Sequence, residues 1–172
     1  SDKFIKYEYP GGIEDPRIVE LEDGTYVVCY SAWNRDVCRL SVAFSKDLIH
    51  WDKQGPAFLK AYNGKFQNLW SKSGAIVTQM VNGKQIAVKI KGKYWMYWGD
   101  LNINLAWSDN LSDWNPLVDE KGELKYVVGP RKLKFDSELA ESGPPALLTD
   151  KGIMLIYNGK NALDDNSDPS LP

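Results

Sequence analysis

The residues able to do chemistry in this chain cluster at the approaches to three short apolar stretches. "IEDPR" (13–17) carries Glu14, Asp15 and Arg17 around a proline, "WSKSG" (70–74) carries Lys72, and "AESGPP" (140–145) carries Glu141. Asp100 closes a fourth segment, "YWGD" (97–100). Paired carboxylates rimmed by aromatics suit cleavage of a glycosidic bond, one acid protonating the leaving oxygen while the other activates water or attacks the anomeric carbon. The acid must keep its proton near neutral pH, which takes burial or neighbouring negative charge. Glu14 beside Asp15 works in that direction and Arg17 against it. A plainer reading makes Asp15 and Arg17 an ion pair bracing a turn that Pro16 shapes.

Residues so distant in sequence form a site only if the fold brings them together, and a repeat supplies the means. "DGTYVVCYSA" (23–32) followed by "CRLSVAFSKDLIHWDK" (38–53) is echoed by "KGKYWMYWGD" (91–100) followed by "NINLAWSDNLSDWNP" (102–116). Tyr26 superposes on Tyr94, Tyr30 on Trp98, Ala43 on Ala106, Ser45 on Ser108 and Trp51 on Trp114. A partial third copy is "DKGIMLIYNGKN" (150–161). Each copy follows a short apolar strand, "PRIVEL" (16–21), "SGAIVTQM" (73–80) or "PPALLT" (144–149). Alternating apolar residues, frequent Gly, Asn, Asp and Pro turns and the lack of long helical periodicity predict an all-β chain. Units of four strands, about 60 to 70 residues each, point to blades of a β-propeller rather than a sandwich or solenoid. In a propeller the first strand of each blade lines the central channel, so Asp15, Arg17, Lys72 and Glu141 are expected to converge there, with Asp100 on the same rim. The tryptophan ending each repeat reads as a structural wedge between blades.

Bulk properties narrow the alternatives. The chain has 172 residues, 43% hydrophobic and 26% charged, the profile of one globular domain. A net charge of −2 offers no basic field, so nucleic acid is not an expected partner. No apolar run reaches the roughly 18 residues of a membrane span, and no signal peptide is evident. The seven Trp and nine Tyr supply both buried strand residues and flat faces for sugar rings. His50 is the single histidine, in the repeated corner, and reads as a surface residue, which argues against a multi-histidine metal centre or a Ser-His-Asp triad. No metal or other cofactor is expected. "DDNSDP" (164–169) lacks EF-hand spacing and reads as a solvated loop, and "KQIAVKIKGK" (84–93) reads as an exposed strand. Cys29 and Cys38, on neighbouring strands, either pair or remain buried thiols.

"GGIEDPRIVELEDGTYVVCYSA", "LSVAFSKDLIHW" and "ESGPPALLTDKGIMLIYNG" together resemble glycoside hydrolase family 130, the β-mannoside phosphorylases and β-mannosidases. The resemblance implies a five-bladed β-propeller, of which residues 1–172 look like about three blades of one catalytic domain truncated at both ends. It implies that Asp15 is the acid, passing its proton through a mannose hydroxyl, and that Arg17, Lys72 and Asn158 of the "YNG" motif contact substrate. Two departures stand out. "YWGD" replaces a basic "H-R-P", and Glu141 replaces a small residue. An acid repels phosphate but can deprotonate water. The resemblance therefore implies an inverting β-mannosidase acting on manno-oligosaccharides, with Glu141 as base, Asp100 assisting, Glu138 as fallback, and Tyr30, Trp33 and Trp98 shaping the sugar subsite. The alternatives are a phosphate-dependent phosphorylase, a non-catalytic carbohydrate-binding propeller, and the related arabinanase and fructosidase propellers. The sequence does not specify linkage or oligomeric state. A periplasmic or extracellular location follows only if the native N-terminus carries a signal; otherwise the location is cytoplasmic.

Overall fold

The structure, a computed structural model, describes residues 2–162; the "DDNSDP" segment lies outside the described residues. A one-turn helix, α1 (Ile5–Glu8), leads into an all-β chain. β1 (Gly12–Glu20), β2 (Tyr26–Trp33), β3 (Cys38–Ser45) and β4 (Asp52–Pro56) form an antiparallel meander. The D-G turn joining its first hairpin works as its residue types require. Asp23 accepts from the Thr25 backbone N–H at 2.9 Å, and Gly24 takes a φ of 77°.

A second unit uses the same pattern. β5 (Ala75–Val81), β8 (Lys93–Trp98), β9 (Ile103–Ser108) and β10 (Asn115–Pro116) pair antiparallel in that order. Between β5 and β8 the chain makes β6 (Lys84–Ala87), paired to β5, and β7 (Lys89–Ile90), paired to β8. The lysine-rich stretch is thus two short strands rather than one. Lys84 and Lys89 are exposed as expected, while Ile86 and Ala87 are buried. β11 (Tyr126–Val128) adds to β9.

The third copy is broken. β12 (Leu139–Ser142) pairs with β15 (Tyr157–Lys160), while β13 (Ala146–Thr149) pairs with β14 (Gly152–Met154). Gly143, Pro144 and Pro145 interrupt the leading strand, since proline cannot donate to the ladder. β13 runs parallel to β5, Ala146 beside Val77, and β1 meets β6 in parallel at Glu20 and Ile86. The result is a curled, open sheet in the order β10-β9-β8-β5-β6-β1-β2-β3-β4, with β13 and β14 joined through β5, while β12 and β15 form a separate two-stranded sheet.

The repeated corner after β3 and β9 is encoded locally. Ser45 Oγ accepts from the Leu48 N–H at 2.8 Å, and Ser108 Oγ accepts from Leu111 at 2.9 Å. Asp47 and Asn110 accept the following N–H groups in the same way. Leu48 and Leu111 both take left-handed φ values, 63° and 65°. His50 lies exposed on this corner against Asp47.

Tyr30 and Trp98 occupy equivalent places and face the same side of their units, yet their surroundings differ. Trp98 and Trp114 are buried in the core between the two units, Trp98 packing 4.7 Å from the Phe58 ring centroid. On the first unit that same side is covered by α1. There Tyr30 joins Val28, Ala32 and Ala43 under Tyr7, and Trp51 stays half-buried. The wedge expected of the repeated tryptophan therefore holds for Trp114. Both cysteines are free and buried, Cys29 packing on Met96, and burial pushes the Cys29 thiol up to about 12.

Removing the fully buried ring by Trp114→Ala is expected to cost about 3–5 kcal/mol, and Trp51→Ala clearly less. Denaturant unfolding of the two variants measures the difference; equal costs would contradict the packing described.

Candidate active site

β1 begins earlier than its apolar run, so Glu14, Asp15 and Arg17 lie within it rather than before it. The strand is bulged between Glu14 and Arg17, and Asp15 adopts a left-handed φ of 52°. Bulges re-aim side chains, and a non-glycine residue held in this region stores local strain. The second unit repeats the device. Arg17 faces Cys29 and Ala75 faces Tyr97 at equivalent registers, so Ser73, with a φ of 59°, stands where Asp15 stands.

Three of the proposed site residues meet. Lys72 Nζ lies 3.1 Å from Asp15 Oδ2 and 3.8 Å from Glu141 Oε1. The Ser73 hydroxyl donates to the same Glu141 oxygen, and Ser31 donates to Asp15 Oδ2 at 3.5 Å. Partial burial pulls the Lys72 pKa down, but the hydrogen bond it donates to Asp15 and the charges of Asp15, Glu141 and Asp100 more than offset it, so the net direction is up. Asn158 sits directly across the β12–β15 pair from Glu141, on the same face.

The remaining expectations divide. Asp100 lies on the rim, where Trp70 Nε1 donates to its Oδ2 at 3.2 Å. Arg17 does not brace Asp15 by an ion pair. Its Nε and Nη2 donate to the carbonyls of Gly143 (2.7 Å) and Ser142 (3.0 Å), and Nη1 to the Asp15 carbonyl (3.2 Å). It ties the first approach segment to the third and leaves the Asp15 carboxylate to Lys72. Glu138 is drawn away from the cluster to Lys160 at 2.6 Å on the surface. Trp33 is half-buried at the end of β2, so part of its ring reaches the surface. Tyr30 and Trp98 do not shape a sugar subsite. They are 5% and 2% exposed, and the Tyr30 hydroxyl donates to the buried Glu8 at 3.0 Å. Among the described residues no group of His, Cys, Asp or Glu is arranged to hold a metal, and no helix is long and apolar enough to cross a membrane.

Sequence reading missed Trp70, Ser73 and Ser31. Trp70 had a signal, because it stands two residues before Lys72 and outside the repeated "A-x-S-x-x-L-x-x-W" position. Ser73 is found by superposing the two units, but only strand register reveals the equivalence.

The fold and cleft define a class, an all-β protein whose carboxylates converge on one ammonium at the approaches to repeated strands. Comparison with known proteins narrows it. A family profile described as β-1,4-mannooligosaccharide phosphorylase matches residues 4–167, and the chain belongs to glycoside hydrolase family 130. It is 31% identical over 159 residues to a 1,2-β-oligomannan phosphorylase from a Thermoanaerobacter species, covering 91% of this chain and 44% of that protein. A glycosyl hydrolase structure from Bacteroides ovatus is 52% identical with a TM-score of 0.94, covering 96% of this chain and 46% of that one. A further structure, 52% identical with a TM-score of 0.93 over 95% of this chain and 46% of its own, is described as showing that this family of mannoside phosphorylases contains glycoside hydrolases that target β-1,2 mannosidic linkages in Candida mannan. The chain spans less than half the length of these relatives.

A lysine whose folded pKa is raised binds its proton more tightly folded than unfolded. Its stabilisation is complete below the ordinary value of 10.5 and fades as pH climbs past it. The stability gap between the parent protein and Lys72→Met should therefore be constant from pH 7 to 9 and shrink above about pH 10.5. Denaturant titrations across that range check it; a gap that widens would refute the assignment.

Proposed function

We propose that the polypeptide containing this chain cleaves β-mannosidic linkages in manno-oligosaccharides with inversion, using Asp15 as acid and Glu141 as base. The observation that carries this is the single ammonium of Lys72 held between the two carboxylates. That shared contact keeps their oxygens no more than roughly 7 Å apart, close enough for both carboxyl groups to act on one sugar ring. Asp15 gives its proton, by way of a sugar hydroxyl, to the departing glycosidic oxygen. Water, deprotonated at Glu141, attacks the anomeric carbon from the opposite face. Arg17 positions the Asp15 and Glu141 segments through backbone carbonyls, and Asn158 and Lys72 contact sugar hydroxyls. The relatives' descriptions make β-1,2-linked mannosides the first substrates to try.

By the names of the family profile and of the relatives, phosphorolysis is the better-supported reading. The charge of this cleft argues the other way. Asp15, Glu141 and Asp100 all act on one lysine, and the guanidinium of Arg17 is engaged by carbonyls. A phosphate dianion placed beside Glu141 and Asp100 is repelled by two carboxylates. The repeats fit consecutive blades of a five-bladed propeller, since the two four-stranded meanders and the parallel β5–β13 contact are what neighbouring innermost strands would give.

Incubating the whole polypeptide with β-1,2-mannobiose, with and without phosphate, separates the readings. Hydrolysis predicts free mannose in either condition, and strict phosphate dependence with mannose 1-phosphate as product would establish the phosphorylase. Asp15→Asn should lower kcat by about 10²–10⁴-fold. Undiminished binding by a parent protein that cleaves neither way would leave only a carbohydrate-binding role.

A further inference from the structure

Ser73 is buried beneath the cleft, 1% exposed, and its hydroxyl donates to Glu141 Oε1. Lys72, the residue before it, approaches the same oxygen at 3.8 Å. In extended chain, neighbouring side chains leave on opposite sides. Ser73 departs from that alternation through its left-handed φ of 59°, and two consecutive residues reach one carboxylate oxygen. The backbone that carries this strained residue is fixed on both sides. Before it, the Ser71 N–H donates to the Cys38 carbonyl at 3.0 Å and the Lys72 carbonyl accepts from the Gly99 N–H at 2.9 Å. After it, Gly74 is wedged in the core, where an added Cβ would lie 2.9 Å from Met96 Sδ and 3.1 Å from Cys29 Cβ.

The consequence lies in how Lys72 is shared. Its ammonium stands 3.1 Å from Asp15, a hydrogen-bond distance, whereas 3.8 Å to Glu141 is outside that range. Opposite charges this close contract unless something holds them apart. We propose that Ser73 is a positioning residue whose hydroxyl holds Glu141 off Lys72, so that the ammonium stays with Asp15 and Glu141 remains available to take a proton from water. This rests on the hydrolytic reading above and adds to it the group that keeps the base from closing onto the lysine. The strain at residue 73 then has a use, since a relaxed extended residue there would turn its side chain away from the one that Lys72 meets.

Steady-state kinetics of the whole polypeptide on β-1,2-mannobiose, with and without phosphate, test this. Ser73→Ala and Ser73→Gly should each lower kcat about ten- to a hundred-fold, the cost of a misplaced catalytic group, with KM within about two-fold of the parent. Glycine suits the left-handed φ, so Ser73→Gly should be at least as stable to heat as Ser73→Ala yet equally slow. Ser73→Cys, close in size and a weak donor, should recover part of the rate. A parent-like kcat in both hydroxyl-free variants, with or without a raised KM, would overturn the assignment. So would full activity in Ser73→Gly alone, by showing that the backbone and not the hydroxyl matters. The two readings fail separately. Strict phosphate dependence of the parent defeats the hydrolytic reading and this assignment with it, whereas a hydrolysing parent matched by Ser73→Gly defeats only the assignment.

Discussion

The site is organised by one charge. Lys72 stands between Asp15 and Glu141, so one ammonium joins three segments far apart in sequence. Two carboxylates this close repel strongly in a partly dry environment, and an ammonium between them offsets the repulsion. Arg17 performs the complementary task through the backbone, clamping the Ser142 and Gly143 carbonyls where β12 ends. Side-chain charge sets the electrostatics, and guanidinium-to-carbonyl bonds set the distance between segments.

The repeat shows how such a cleft arises without any long segment dedicated to it. Both units hold a non-glycine residue with left-handed φ at the equivalent register, Asp15 within the bulge of β1 and Ser73 just before β5. The same backbone device thus presents an acid in the first unit and, in the second, a hydroxyl that supports Glu141. In the third, glycine and two prolines break the strand, freeing Ser142 and Gly143 carbonyls for Arg17. One scaffold position carries three different duties because the chain around it is held by the sheet.

That view also bears on the tension between the relatives' names and the site's charge. Members of one family share the propeller-like strands and the acid position while the acceptor is chosen by a few side chains nearby. Under the reading proposed above, Glu141 and Asp100 are those side chains here. Each adds negative charge beside Lys72, where a phosphate acceptor would need the lysine uncompensated.

Sequence by itself determined what is local. The Ser and Asp or Asn of the repeated corners bond to backbone N–H groups within three residues, so the motif and its structure are one thing. Alternation located the strands, and repetition predicted that Asp15, Lys72 and Glu141 would meet. It misjudged Tyr30 and Trp98, because β2 is covered on both faces and alternation does not say which covered face is the cleft. Its plainer alternative paired Arg17 with Asp15 because they are neighbours in the chain, while the folded guanidinium reaches carbonyls more than a hundred residues away. Only tertiary structure decided which of the tryptophans opens to solvent and which carboxylate each cation meets. Those outcomes depend on how separate strands are placed against one another, and no short stretch of sequence encodes that placement.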